Sequence, residues 1–353
     1  MTLGSEAAPI TRIVASRRHP FMIRMAMGVG IGALFVLVFL QLVSLSSVAR
    51  HLEHLNIGFA VLCGSVFLSA YVVRALRWRL FLAPDNVRRS RVIQIYYVAT
   101  FLNWLLPVQG GEVAKGLMLR RSNGIPVNRS LATVTMDKAM DLLPVVALLL
   151  VLPFTQLHLS RPLWLLLAFA LLVLGLAAVV LGLACWRRDR TLASLSQILK
   201  TILPRHLSER VEPFVVGFVD TLLALCRKPR LLLMAAAYTA AAVGLDALFC
   251  YLAFRTVGVI LSPLVVLYGY TLYNLAYILP TPPAHLGSNE LVGLLIFSGL
   301  FGASRSAVGA MFLFSHPWTG ILMTVSALAC VRAAGLNLRT IAGLRAETEI
   351  GAG

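Results

Sequence analysis

The sequence predicts an all-α protein: a polytopic membrane helix bundle of about six full spans and two broken, re-entrant elements in a three-plus-three inverted repeat. Three observations predict it. Long apolar runs carry no charge, basic residues crowd alternate loops, and two further apolar stretches are broken by proline and glycine.

Of the 353 residues, 59% are hydrophobic and 13% charged, too little charge to cover a water-soluble domain of this size. Met25–Ala49, Leu55–Val73, Pro162–Trp186 and Ser306–Val331 contain no Asp, Glu, Lys or Arg, and Leu231–Phe254 contains only Asp246. Each is as long as the roughly 18–20 residues that cross a bilayer as a helix. The runs do not alternate as barrel strands do, and helices satisfy their own backbone in lipid. Met25–Ala49 is longer than a signal-peptide core and lies behind a long basic leader, so it reads as a span.

Charge sets the topology. Arg12, Arg17, Arg18 and Arg24 precede the first span, which places the N-terminus on the cytoplasmic side. The second span closes at Arg74, Arg77, Trp78 and Arg79, followed by Arg88, Arg89 and Arg91, again inside. Arg120, Arg121 and Arg129 form the next basic loop. The apolar stretch between, near residues 92–119, is shorter than the roughly 40 residues two crossings need. It is broken at Pro107 and Gly110-Gly111, and reads as a hairpin that enters and leaves from inside.

A third span follows from near Leu131 to Leu157, and a fourth, Pro162–Trp186, returns to a basic amphipathic segment over 187–230. Leu192, Leu195 and Leu199, then Phe214, Phe218 and Leu222, recur there at helical spacing, as in interfacial helices or a small cytosolic hairpin. The fifth span, Leu231–Phe254, leads to a second broken element over 262–304, interrupted at Pro280, Pro282 and Pro283. It is either re-entrant or two short spans. The sixth, Ser306–Val331, ends at a basic cytoplasmic tail. The domain plan is thus a leader over 1–24, one transmembrane domain over 25–335 and a tail over 336–353. Only Arg50, Arg161, Arg255 and Arg305 of 31 basic residues fall in the outer loops, so the net charge of +17 reflects orientation and anionic lipid, not nucleic acid.

Five acids lie in or beside apolar segments: Glu112, Asp137, Asp141, Asp246 and Glu290, accompanied by Lys115 and Lys138. A charge at membrane depth costs about 2.5–3.5 kcal/mol on insertion scales, so each is a candidate functional residue. Glu112 with Lys115, and Lys138 with Asp141, are spaced to share a helix face. They are either self-neutralising pairs that hold the bundle together or the lining of a polar cavity for a charged or zwitterionic headgroup. Gly110-Gly111-Glu112 and Gly287-Ser288-Asn289-Glu290 both read as helix starts, with Ser288 or Asn289 as cap, whose N–H groups would suit a lipid phosphate. Alternatively, Glu112 and Glu290 are first-turn acids that stabilise helix dipoles. Arg74, Arg77 and Arg79 would snorkel, or hold a phosphate. Asp246 would serve an ion pathway or pair with a neighbouring helix.

No metal-ligand spacing joins the seven histidines or five cysteines, and no nucleotide-binding or hydrolase motif is present, so no cofactor and no enzyme activity is expected. Asp137 and Asp141 as metal ligands of a lipid-modifying transferase form the rival reading. A third is a membrane partner for lipid-biosynthesis enzymes, docked through the 187–230 segment.

The order Arg77-Trp78-Arg79, Asn103-x-x-Leu106-Pro107-x-x-Gly110-Gly111-Glu112-x-x-Lys115, Asp137-Lys138-x-x-Asp141, Tyr277-x-Leu279-Pro280 and Gly287-x-x-Glu290 resembles the flippase-like family. It is also called the lysylphosphatidylglycerol synthase transmembrane-domain family, and the resemblance runs from the second span to the sixth. It implies a bacterial plasma-membrane protein that moves an anionic, aminoacylated or otherwise lipid-linked cargo between leaflets. Arg77, Asn103, Gly110, Gly111, Glu112, Lys115, Asp137, Lys138, Asp141, Gly287, Asn289 and Glu290 would form the substrate site, and Glu112, Asp246 or Glu290 would carry a coupled proton. No soluble aminoacyl-transferase domain is expected, because the sequence ends soon after span six. Pro283 and Ala284 stand where the family pattern has glycines.

Overall fold

In the computed structural model the apolar runs fold as helices whose side chains are apolar on nearly every face, as lipid-facing helices must be. It describes residues 26–83, 85–105, 110–151, 154, 161–202, 228–276 and 281–333, together with 204, 208, 212, 216 and 219. The expected leader and tail, the turns at Pro107 and Pro280, and most of 203–227 lie outside the described residues. Among the described residues every regular element is helical.

In chain order these are α1 (Ala26–Leu42), α2 (Leu45–Glu53), α3 (Ile57–Phe81), α4 (Arg89–Leu105), α5 (Gly110–Asn123), α6 (Val127–Val151) and α7 (Arg161–Ile202). There follow α8 (Pro229–Thr256), α9 (Pro263–Ala276), a 3-10 turn (Pro283–His285), α10 (Ser288–Gly293) and α11 (Arg305–Ala333). Past Gly293, α10 widens into a π-helical stretch, Leu294–Leu300. Helices α3, α8 and α11 are each long and apolar enough to cross a membrane, at about 1.5 Å rise per residue. Ile57, Leu233 and Val325 on these helices, and Leu295 beyond α10, stand exposed, an apolar surface suited to lipid.

The first expected span departs from a straight helix. It bends by 90° between α1 and α2. Ser44 leaves helical geometry (φ −79°, ψ 107°), and its carbonyl accepts from the amides of Ser47 and Val48 to start a new helix. Val48 of α2 is buried, whereas Arg50 is exposed, so α2 lies on α11 with one apolar face. The second span is longer than its charge-free run: α3 continues through Arg74, Arg77, Trp78 and Arg79 because those side chains find partners inside the bundle.

α4 and α5 pack together as the first broken element, and α9, the 3-10 turn and α10 form the second. Helices α3 and α8 make the most extensive contact in the bundle. Two cores flank it. One gathers Phe249, Phe254, Phe297 and Phe312; the other gathers Trp78, Tyr96, Leu119 and Met136; Tyr71 touches both. Arg74 and Arg77 follow within two turns of Tyr71 on α3, so a charged layer lies beside the junction of two apolar cores.

The helix α7 carries one non-helical residue, Arg187 (φ −139°, ψ 66°), where its apolar part gives way to the basic amphipathic part. Val219 packs on Leu192 and Leu195, and Glu212 accepts from Ser196 and from Lys200 Nζ.

Candidate functional site

Arg77 sits at the centre of the charged layer. Its Nε donates to Asp137 Oδ1 at 2.8 Å, its Nη2 to the Asp137 carbonyl at 2.9 Å and to Asp141 Oδ1 at 2.8 Å, and its Nη1 to Thr239 Oγ1 at 3.2 Å. Arg77 is 0% exposed and Asp137 1%. The snorkelling expected of Arg77 is therefore corrected: a planar guanidinium with several donors satisfies two carboxylates at once and stays inside. Trp78 is likewise buried, donating to Thr133 Oγ1. Tyr96 Oη donates to Asp137 Oδ2, so both oxygens of that carboxylate are engaged.

One turn earlier, Arg74 grips Asp246 of α8 with both Nη atoms, and Asn274 of α9 donates to the same carboxylate at 3.4 Å. Arg74 Nε also lies 3.9 Å from Asp141 Oδ1. Of the two roles open to Asp246, the structure provides the helix-pairing contact.

At the first break, Glu112 in the first turn of α5 meets Lys115 at 3.0 Å and Lys138 of α6 at 3.1 Å. The i, i+3 pair of Glu112 and Lys115 forms as the spacing predicts. Lys138 and Asp141 do not pair with each other; each turns to a different helix, Lys138 to Glu112 and Asp141 to Arg77. Lys115 is 2% exposed, its ammonium 3.9 Å from the centre of the Tyr96 ring and 5.4 Å from that of Trp78.

Asn103 of α4 closes this corner. Its Nδ2 donates to Glu112 Oε1 and its Oδ1 accepts the Gly111 amide, both at 2.8 Å. A Cβ on Gly111 would stand 2.0 Å from the Ala99 carbonyl oxygen, so this glycine lets α4 and α5 cross in contact. The Gly111 amide expected for a phosphate is occupied by Asn103; Gly110 opens α5 beside it.

Four carboxylates (Glu112, Asp137, Asp141, Asp246) thus meet four cations (Arg74, Arg77, Lys115, Lys138), and their formal charges cancel. Two members reach the edge of the layer: Lys138 at 47% exposure and Asp141 at 36%. Both lie on α6.

The second break is built differently. Gly287, at φ +71°, precedes α10, and a Cβ there would stand 2.6 Å from the Val36 amide of α1. Ser288 does not act as the cap: its Oγ donates backwards to the His285 carbonyl, and the N-cap position is Gly287. Asn289 and Glu290 are buried in the first turn. Glu290 Oε1 lies 2.6 Å from His316 Nδ1 of α11, and His316 Nε2 lies 2.8 Å from the Ala284 carbonyl. Spacing with other histidines does not single out His316; its signal is a position inside an otherwise charge-free span.

The exposed apolar helices and the charge-compensated polar layer define an integral membrane protein of the α-helical, polytopic class. The chain belongs to the lysylphosphatidylglycerol synthase transmembrane-region family, whose pattern it matches over residues 25–327. It is similar to a UPF0104 membrane protein of Pyrococcus horikoshii, 25% identical over 306 residues that cover 80% of this chain and 89% of the relative. No solved structure matches it.

Proposed function

We propose that the protein moves a phospholipid or lipid-linked headgroup between bilayer leaflets, with the charged layer on α3, α5, α6 and α8 as its polar path. The observation that carries this reading is the layer's charge balance combined with its two open ends. A cation, Lys138, and an anion, Asp141, reach the surface of the layer one turn apart, a match for a headgroup carrying both a phosphate and an ammonium. A cargo of that kind can exchange partners with the layer without leaving a buried charge unpaired, which is the expensive outcome in lipid.

A three-plus-three inverted repeat of six spans, with both termini cytoplasmic, gives such a path access from either side. One spacing supports that layout. Glu112 is the third residue of α5, and Glu290 the third of α10. Each pairs with a base at the twelfth position of the next long unbroken helix, Lys138 in α6 and His316 in α11. Glu290 and His316 are 26 residues apart, the same separation as Glu112 and Lys138.

A lipid-modifying enzyme using Asp137 and Asp141 is disfavoured by their partners. Asp137 already engages Arg77 and Tyr96 with its two oxygens, and a metal would have to displace the guanidinium. Leaflet exchange of headgroup-labelled lipids in proteoliposomes tests the proposal, with aminoacyl, zwitterionic and polyprenyl lipids beside Glu112→Gln and Glu290→Gln. Movement by the wild type that both variants lose is expected. No movement of any lipid in that panel would sink the transport reading.

A further inference from the structure

The second break holds a contact whose geometry depends on a proton. A backbone carbonyl only accepts, so His316 Nε2 must carry a hydrogen to meet the Ala284 oxygen at 2.8 Å. The other ring nitrogen lies 2.6 Å from Glu290 Oε1, within hydrogen-bond distance. With Nε2 protonated, a neutral ring offers only a lone pair at Nδ1, and an ionised Glu290 offers only lone pairs at Oε1. Two acceptors at that distance repel. One more proton must sit between them. Glu290 and His316 are only 8% and 10% exposed, and Glu290 Oε2 finds no hydrogen-bond donor among the described residues. An ionised carboxylate with a bare buried oxygen is costly, whereas the carbonyl oxygen of a neutral carboxyl tolerates that site better.

We infer that Glu290 is a protonated carboxyl donating to His316 Nδ1, and that this single proton latches the second broken element to α11. This deepens the transport reading, on which its role as a coupling site rests: the proton is the ligand, and the pair is where it binds. When the proton leaves to water, the pair becomes carboxylate facing lone pair, and the hydrogen bond between α10 and α11 is lost.

The latch has something to hold. Ala284 and His285 both adopt left-handed backbone (φ 54° and 53°), a region that costs non-glycine residues strain. His316 fastens this turn through the Ala284 carbonyl at the same time as it fastens α10 through Glu290, so one ring joins both sides of the break. The turn in turn meets α1, where a Cβ on Gly32 would lie 3.2 Å from Leu286 and 3.3 Å from Pro282. The first break makes a contrast. There the equivalent acid, Glu112, is held by two lysine ammonium groups, those of Lys115 and Lys138. The two halves therefore differ in kind: one acid is cation-paired, the other proton-paired.

Among the described residues, His285 in the turn itself faces His316, with its Nδ1 2.7 Å from Thr281 Oγ1. On the elements packed against α11, His51 of α2 bonds the Val257 carbonyl, Asp246 of α8 is held by Arg74, Arg255 lies over Phe59, and Tyr273 of α9 packs on Phe312. From α4, the neighbour of α11 at Gly320 is Trp104, and Tyr96 and Tyr97 bond elsewhere.

Hydrogen–deuterium exchange of the full chain in nanodiscs tests the latch, reading the amides of 284–290 and correcting for the intrinsic pH effect. The side-chain amide introduced by Glu290→Gln can still donate to Nδ1, so this variant should stay closed at every pH. Glu290→Ala should stay open, exchanging about tenfold faster. Wild type should pass from the first behaviour to the second as pH rises. Infrared difference spectra supply the second readout: a protonated-carboxyl C=O band present in wild type, lost on alkalinisation and absent from Glu290→Gln. Equal exchange in the Gln and Ala variants, or no titrating carboxyl band that depends on Glu290, overturns the inference. Neither readout uses lipid movement, so failure of leaflet exchange would sink the transport reading while leaving the latch standing. A latch that fails in a protein that still moves lipid would leave transport uncoupled from this pair.

Discussion

Arg77 and Asp137 are joined at 2.8 Å with neither side chain reaching solvent, and every other charge of the layer is arranged around that pair. Breaking it strands a carboxylate in the bundle. Arg77→Ala should destabilise the protein by about 3–5 kcal/mol, the usual cost of removing one partner of a buried ion pair. Arg77→Lys should recover only part, since an ammonium cannot span Asp137, Asp141 and Thr239 together. Unfolding in bicelles by increasing denaturing detergent measures both; an Arg77→Ala protein as stable as wild type would refute the role of the pair.

Arg74 and Asp246 give a different outcome, because both can be removed. Arg74→Met and Asp246→Leu should each destabilise strongly, and the double variant should be more stable than either single one. The same unfolding measurement completes the cycle. Additive losses would mean that the bidentate contact carries no coupling.

The two crossing points constrain their glycines sterically. Gly111→Ala should be strongly destabilising, since its Cβ would meet backbone at 2.0 Å, and so should Gly287→Ala, which is also strained at φ +71°. Gly30→Ala meets nothing within 4 Å and should be neutral or slightly stabilising within its helix. Thermal aggregation midpoints of the three variants decide this, and equal midpoints would contradict it.

Lysines 115 and 138 hold the same carboxylate but should separate fold from function. Lys115→Ala removes a buried cation boxed by Tyr96 and Trp78, and should lower stability by several kcal/mol. Lys138→Ala leaves Glu112 still paired and should cost about 1 kcal/mol or less, while abolishing leaflet exchange. Exchange that survives in Lys138→Ala would remove this lysine from the path.

Much of this architecture is legible in the amino-acid sequence. The helices α3, α8 and α11 follow from long apolar runs with at most one charge, because lipid leaves the backbone few other choices. The close contact of Glu112 with Lys115 follows from helical spacing alone. The partner of Asp137 does not, because Arg77 lies on another helix, and periodicity says nothing about which helices meet. The bend at Ser44 is hidden for a related reason: an apolar run has one hydropathy whether straight or broken. A lone histidine such as His316 carries no pattern of its own, and only its partner at the matching distance from a helix start gives it meaning.

The span of sequence between Arg74 and its partner has a consequence in time. Asp246 lies 172 residues downstream. At a synthesis rate of about 5–20 residues per second, Arg74 enters the membrane on the order of 10–30 s before Asp246 exists. Of the two carboxylates that Arg74 meets in the folded protein, Asp141 is made first, part-way through that interval. The α3–α8 contact, the largest in the bundle, is therefore among the last to close, and nascent chains halted before α8 should be the form that the cell's quality control meets with an arginine still unclaimed.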